Sequence, residues 1–223
     1  GASMGKGMAA ARRGERMACL AVAVCMSWVV AVGAGRATHH CRPLATMCAS
    51  SSLSRSLRAG TVLVSQPDQY DHFFHEAVVL VCEHSEHGSR GVLLNRETPF
   101  TMGEMASGMG CFDEHSVHRG GNGGADTVLM LHARADVAGS KPIGSSGLYL
   151  GGLRHAQQLV ADGLAEPSEF KFFFNSEVWA PGALEQQLRT LWWVTNDFGA
   201  SEVVAAKGDR SLHAVLRKRL AAT

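Results

Sequence analysis

The chain has 223 residues, of which 46% are hydrophobic and 18% charged, and its formal net charge is +1. This composition excludes a chain too polar to bury a core, and it predicts a globular protein of one or two domains. The charge is unevenly placed, because residues 1–60 carry a net +7 and residues 61–223 a net −6. An acidic body is a poor match for nucleic acid, whose phosphates require clustered Lys and Arg side chains.

The first 60 residues have the pattern of a targeting segment. A basic stretch, "ARRGERM", precedes the uncharged apolar run 17–35, and residues 36–60 are rich in Ser and Arg and contain no acidic residue. We divide this presequence into a signal-like part, 12–37, and a transit-like part, 38–60. Such a two-part presequence resembles those of algae whose plastids lie inside extra membranes, so we predict a plastid location. A retained membrane anchor and a mistranslated upstream region are the alternatives.

The rest of the chain, residues 61–223, alternates short strand patterns with polar and glycine-rich turns. Strands are predicted at 61–65, 77–85, 91–96, 127–134, 147–152, 170–174, 192–195 and 201–207. The second and third are joined by the turn sequence "EHGSRG" and form a β-hairpin. Apolar side chains on both faces of 170–174 indicate a central strand. The polar, glycine-rich stretch 113–126 is typical of a loop.

Helical spacing of apolar residues appears between and after these strands. Helices are predicted at 98–109, 154–164, 180–193 and 211–222. In the third, Pro181 falls in the first turn, where its missing N–H costs nothing. Because strands and helices mix without a βαβ rhythm, we predict one α+β domain.

The predicted hairpin concentrates residue types that bind metals or act as nucleophiles. Regular strand alternation places Cys82, His84 and Glu86 on one face and Glu83 on the other. His87, in the turn, would complete a candidate metal set with Cys82 and His84.

Three interpretations of this group remain open. A zinc or iron site would require His72 and His75 to reach the hairpin from the preceding segment. A nucleophilic Cys82 would need an adjacent base, although it stands in the apolar run "VVLVC". In the third interpretation Cys82 is a buried apolar residue and the polar side chains are solvated. We predict no metal and no cofactor, with a metal- or Cys-dependent hydrolase centred on Glu83 and His84 as the alternative.

The order of motifs over about 60–195 resembles the YqgE/AlgH family. The markers are a Glu-His pair in the hairpin, a Gly-Gly pair before a strand that ends in Leu-His, and a Trp that precedes a Pro-Gly-x-Leu-Glu helix. The candidate site residues that this resemblance singles out are Glu83, His84, Asn95, Gly120, Gly121, His132 and Trp179. The chain departs from the family pattern at Asn122, usually Pro, and at 175–178, where small residues are usual. At these positions either the turn is rebuilt or an ancestral site has drifted.

The resemblance implies a single α+β domain whose bent, mixed β-sheet forms a pseudo-barrel flanked by helices. Bacterial members are described as candidate transcriptional regulators, and no reaction is established for the family. We therefore predict a non-enzymatic regulatory or interaction protein that works in the plastid. Its partner would be a protein or a small molecule, with no direct nucleic-acid binding and no membrane segment in the mature domain.

Overall fold

The structure is a computed structural model of the chain that describes residues 57–68, 71, 73–196 and 198–222. The predicted presequence lies outside these residues except for 57–60, and so does His72. In the part of the chain that the structure describes, no helix is long and apolar enough to cross a bilayer.

Ten strands of the described residues form one curled, mostly antiparallel sheet. They are β1 (Val62–Ser65), β2 (Val78–Ser85), β3 (Gly88–Leu93), β4 (Glu97–Thr101), β5 (Ser116–Arg119), β6 (Gly123–His132), β7 (Ser140–Pro142), β8 (Tyr149–Gly151), β9 (Phe170–Trp179) and β10 (Trp193–Asn196). The main order is β10-β1-β2-β3-β9-β6-β8-β7, and β5, which pairs with β4, joins β9 in parallel. This single α+β domain with a bent, mixed sheet confirms the predicted fold class, and β2 and β3 form the predicted hairpin.

Five α-helices flank the sheet within the described residues. They are α1 (Met102–Met105), α2 (Leu153–Ala161), α3 (Ala183–Arg189), α4 (Ala200–Ala205) and α5 (Ser211–Ala221). The helix predicted at 180–193 is shorter than expected, because Gly182 adopts a left-handed conformation at its N-cap and leaves Pro181 outside. The strand predicted at 201–207 is wrong, since this segment forms α4 with Val203 buried against the sheet.

The loop predicted at 113–126 is also wrong in part, because it contains β5 and the beginning of β6. The sequence of β5 is too polar to predict a strand, although Val117 and His118 are both buried. This strand pairs with Phe172–Phe174 of β9, whose aromatic side chains supply the apolar surroundings that β5 lacks by itself. Its tertiary partner therefore determines the strand, as is common for short β-segments.

The core lies on both faces of the sheet. On one face, α4 and α5 cover Leu80 and Val92, and on the other α3 packs Leu184 near Trp179. A third cluster surrounds Phe172 at the α1 and α2 end. Burial of each such Leu or Phe side chain contributes on the order of 2 kcal/mol, so the three clusters together stabilise the folded sheet.

A β-bulge interrupts the hairpin in the middle of β2. Val81 pairs with Gly91 and Glu83 pairs with Arg90, which leaves Cys82 as an extra residue between the two pairs. An extra residue of this kind breaks the regular alternation of side chains between the faces.

The bulge separates residues that simple alternation places together. Cys82 packs into the core cluster beneath α5, whereas His84 pairs with Ser89, which itself pairs with Trp179 on β9. The prediction that Cys82, His84 and Glu86 share one face is therefore wrong, because the first two residues serve opposite sides of the sheet.

The tightest backbone approach in this region joins Gly120 and Gly121 to β9. A β-carbon on Gly120 would lie 2.3 Å from the carbonyl oxygen of Asn175. One on Gly121 would lie 2.0 Å from the carbonyl carbon of Ser176 and 2.1 Å from the nitrogen of Glu177. Only glycine fits at such a distance, so the close approach is retained although the chain departs from the family pattern at 175–178.

We expect the substitution Gly121→Ala to destabilise the domain by about 3 kcal/mol or more, because the new methyl group overlaps the backbone of β9. Gly199→Ala is the matched control, since no atom lies within 4 Å of the position its β-carbon would take. The free energies of unfolding in urea measure both effects. Equal stabilities of the two variants would show that the approach at Gly121 is not a constraint.

Candidate functional site

The family-motif histidine of the hairpin lies between a hydroxyl group and a carboxylate. The Nδ1 atom of His84 is 2.8 Å from the Oγ atom of Ser89, and its Nε2 atom is 3.9 Å from Oε1 of Glu185 on α3. The other carboxylate oxygen of Glu185 is buried without a partner among the described residues. His84 thus connects the tip of the hairpin to α3, over more than 90 residues of sequence.

Two tryptophans continue this connection through one glutamine. The Oε1 atom of Gln187 accepts hydrogen bonds from the indole N–H groups of Trp179, at 3.0 Å, and Trp193, at 2.8 Å. The ring of Phe74 stacks near Trp179 and meets Trp193 edge-on. Trp179, with 5% of its surface exposed, therefore joins β9 to α3, and the shared Gln187 links it to Trp193 of β10.

The order Ser89, His84, Glu185 resembles a serine nucleophile with its base and orienting acid. Two measurements argue against that role. Ser89 lies within β3 with only 5% of its surface exposed. The His84–Glu185 distance of 3.9 Å also exceeds a hydrogen bond. These three side chains are therefore best described as a clamp between the hairpin and α3.

The structure of the hairpin supports neither a Cys-dependent nor a metal-dependent hydrolase, the two forms of the alternative prediction. Burial raises the pKa of the Cys82 thiol to about 12, so the thiolate nucleophile is scarce at neutral pH. Glu83 and His87 are exposed. Among the described residues, no three His, Cys, Asp or Glu side chains are placed to hold one metal ion.

Asn95 and His132 make hydrogen bonds that do not involve this clamp. Asn95 is 1% exposed; its Oδ1 accepts the Val78 N–H at 3.0 Å and its Nδ2 donates to the Glu76 carbonyl at 2.8 Å. His132 is fully buried, its Nδ1 accepts the Arg134 N–H, and its Nε2 faces the carbonyl of Gly151 at 3.2 Å. Neither side chain makes a hydrogen bond to another of the predicted site residues.

The Gly120–Gly121 crossing forms the border of an apolar cleft of about 370 Å³. Its lining includes Phe100 from β4, Met105 from α1, Val117 from β5 and Phe174 from β9, beside Gly121. Phe100 is 52% exposed, which is unusual for a large aromatic side chain. The sequence does not signal this cleft, because its residues are brought together only by the pairing of β4, β5 and β9.

The rim of the cleft is polar and carries a positive charge. The guanidinium of Arg119 lies 5.1 Å from the ring centre of Phe73 and donates a hydrogen bond to the side chain of Asn122. The backbone N–H of Asn122 donates to Glu177 at 3.2 Å, and burial raises the pKa of that carboxyl group. Asn122 stands where the family usually has Pro and Glu177 where it usually has a small residue, and the two departures are therefore joined by a hydrogen bond.

A second cavity, of about 440 Å³, lies between β5, β9 and the segment that joins α4 to α5. His118 and Lys171 line it, and neither was predicted as a site residue. Burial, with a smaller contribution from Lys171, lowers the pKa of His118 to about 4. Burial also lowers the pKa of Lys171 to about 8, against the opposing charge of Glu97. A single His or Lys in a strand sequence does not indicate that its side chain will be buried beside a cavity.

Trp179, Gly120 and Gly121, which the motif resemblance singled out, each join parts of the curled α+β sheet or of its flanking helices. The sequence pattern of the AlgH-like family (DUF179) matches residues 62–221. The chain therefore belongs to this family, which confirms the resemblance inferred from its motifs.

Individual relatives support this membership, and two solved structures resemble the chain in fold. A UPF0301 protein of Chlorobaculum parvum is 32% identical over 164 residues, covering 73% of this chain and 87% of the relative. Another, of Pelodictyon phaeoclathratiforme, is 36% identical over 141 residues, covering 62% and 74%. The fold resembles the crystal structure of DIP2367 from Corynebacterium diphtheriae, with a TM-score of 0.60, 22% identity and coverage of 73% and 87%. It also resembles the solution structure of AlgH from Pseudomonas aeruginosa, with a TM-score of 0.56, 20% identity and coverage of 71% and 86%.

We expect the domain to lose stability as the pH falls from about 6.5 to about 4, because unfolding lets His118 bind a proton that the folded state excludes. Above pH 6.5 this contribution is fully present. It amounts to about 3 kcal/mol for a shift of this size.

The variant His118→Gln, compared with wild type in urea at pH 7, 6, 5 and 4, tests this contribution. Its stability should fall less steeply with pH than that of the wild type. The exposed His87→Gln serves as the matched control and should keep the wild-type slope. Parallel stability curves for His118→Gln and wild type would contradict the assignment.

Proposed function

We propose that this chain is a non-enzymatic binding protein of the plastid, which acts in regulation by holding an apolar side chain of a partner protein in the cleft beside Gly121. The observation that carries this proposal is the open apolar lining of that cleft, with Phe100 half exposed at its border. Exposed aromatic surface next to a concave, apolar wall is typical of sites that anchor one large side chain of a partner.

The charges at the rim indicate the chemistry of the partner. Arg119 is the charged residue among those that line the cleft, and its guanidinium is oriented by Phe73 and Asn122. An oriented guanidinium pairs well with a carboxylate. The favoured partner segment therefore presents an aromatic or branched side chain beside an acidic group, such as a chain terminus or an Asp or Glu.

A binding role also agrees with how the motif residues are used. His84, Asn95, His132 and Trp179 each make contacts that join separate elements of the fold. Residues 61–223 carry a net charge of −6, which favours a protein partner over DNA. An effect on transcription would then pass through the partner protein.

Binding of a minimal ligand tests the cleft. N-acetyl-L-phenylalanine, which combines an aromatic ring with a carboxylate, should shift the amide resonances of residues 98–101 and 119–122 in two-dimensional NMR spectra. The amide analogue, N-acetyl-L-phenylalaninamide, should bind more weakly because it lacks the charge that Arg119 recognises. We expect Phe100→Ala to weaken binding about fivefold to tenfold, through the loss of apolar contact.

Two further variants sharpen this test. Arg119→Gln should abolish the preference for the carboxylate over the amide. Leu164→Ala removes an apolar side chain that is 63% exposed outside the cleft, and it should bind like wild type. Undiminished binding to Phe100→Ala would overturn the proposed site, and so would equal losses in Phe100→Ala and Leu164→Ala.

The plastid location rests on the composition of residues 1–60 and has its own test. A fluorescent protein fused behind these residues should accumulate in the plastid of an alga with additional plastid membranes. A fusion behind residues 38–60 alone should remain outside, since it lacks the signal-like part. If the fusion behind residues 1–60 stays in the cytosol, the plastid location is refuted.

A further inference from the structure

The second cavity contains an amine whose surroundings differ from those of every other described lysine. Lys171 is half-buried on β9, and its Nζ atom donates a hydrogen bond to the carbonyl oxygen of Ala206 at the end of α4. Among the described residues, no carboxylate oxygen lies within 4 Å of this amine. By contrast, Lys141, Lys207 and Lys218 are exposed.

A neighbouring histidine also lacks a full set of partners. His118 is 6% exposed, and its Nδ1 atom makes no hydrogen bond within the described residues. The chain passes over it at Gly208, where a β-carbon would lie 2.1 Å from its Nε2 atom. A buried ring nitrogen without a partner is costly, and the same residue lines the cavity that contains Lys171.

The remaining charges around the cavity determine which ligand chemistry suits it. The titratable side chains of its lining are Glu97, Glu114, His115, His118, Lys171, Lys207 and Asp209. Three carboxylates against two lysines disfavour the permanent binding of an anion. Burial lowers the pKa of Lys171 to about 8, so near pH 8 about half of this amine is neutral and nucleophilic.

We propose that Lys171 is a modification site, acylated by a small acyl thioester that enters the cavity between β5, β9 and the α4–α5 segment. The lone pair of Nζ attacks the thioester carbonyl carbon, the carbon–sulfur bond breaks, and the thiol leaves with the proton that Nζ releases. The product is a neutral amide. Its remaining N–H group keeps a donor for the Ala206 carbonyl, so the end of α4 stays capped while the cation beside Glu97 is removed.

The test uses the full chain and the thioester S-acetyl-N-acetylcysteamine at pH 7.5, with acetylation at each lysine followed by mass spectrometry. Lys171 should be acetylated about tenfold faster than the exposed Lys141, because burial lowers the pKa of Lys171 and so leaves part of its amine neutral and nucleophilic at this pH. Its rate should level off above about pH 8, where most of the Lys171 amine is already neutral.

Two glutamates of the same cavity provide matched variants. Glu97→Gln removes the negative charge that raises the pKa of Lys171, and it should therefore speed acetylation at pH 7.5. Glu114→Gln changes a carboxylate that lines the cavity without acting on Lys171, and it should leave the rate unchanged. The proposal is overturned if Lys171 reacts no faster than Lys141, or if Glu97→Gln and Glu114→Gln have the same effect.

Discussion

The fold depends on one steric constraint, the contact of the Gly120–Gly121 backbone with the peptide between Ser176 and Glu177. Because no side chain separates these segments, the N–H of Gly120 reaches the carbonyl of Phe174 and its carbonyl accepts the N–H of Leu93. β3, β5 and β9 therefore meet at one point, and β9 pairs with β3, β5 and β6 along its length. The curl of the sheet and the wall of the apolar cleft both follow from this junction.

The elements that the sequence predicts best are those whose apolar pattern is complete within their own residues. The hairpin, α5 and the central position of β9 belong to this class. β5 and α4 do not belong to it. The burial of Val117 depends on the aromatic side chains of β9, and Val203 is the buried residue by which α4 packs on the sheet. Short segments of this kind are determined by their tertiary partners, which no local pattern contains.

The candidate site shows the same division. The motifs pointed to His84 and Trp179, and both belong to the junction between the hairpin and α3. The bulge at Cys82 nevertheless separates two of the candidate metal ligands, Cys82 and His84, because one unpaired residue moves His84 to the opposite face. Phe100 and Lys171 were missed for another reason: their significance comes from how far neighbouring elements leave them exposed or buried, which depends on the packing of β4 and α4.

The bulge also divides the hairpin into two parts that tolerate substitution differently. Before Cys82, β2 is buried on both faces, so a change of size there alters the core. Beyond it, the strand follows the alternation set by the turn and is exposed at Glu83 and Ser85. Substitutions at the tip can therefore accumulate without rotating any core side chain into solvent. The contacts that His84 makes with Ser89 and α3 are therefore separated by the bulge from the packing of Leu80 and Val92 in the core.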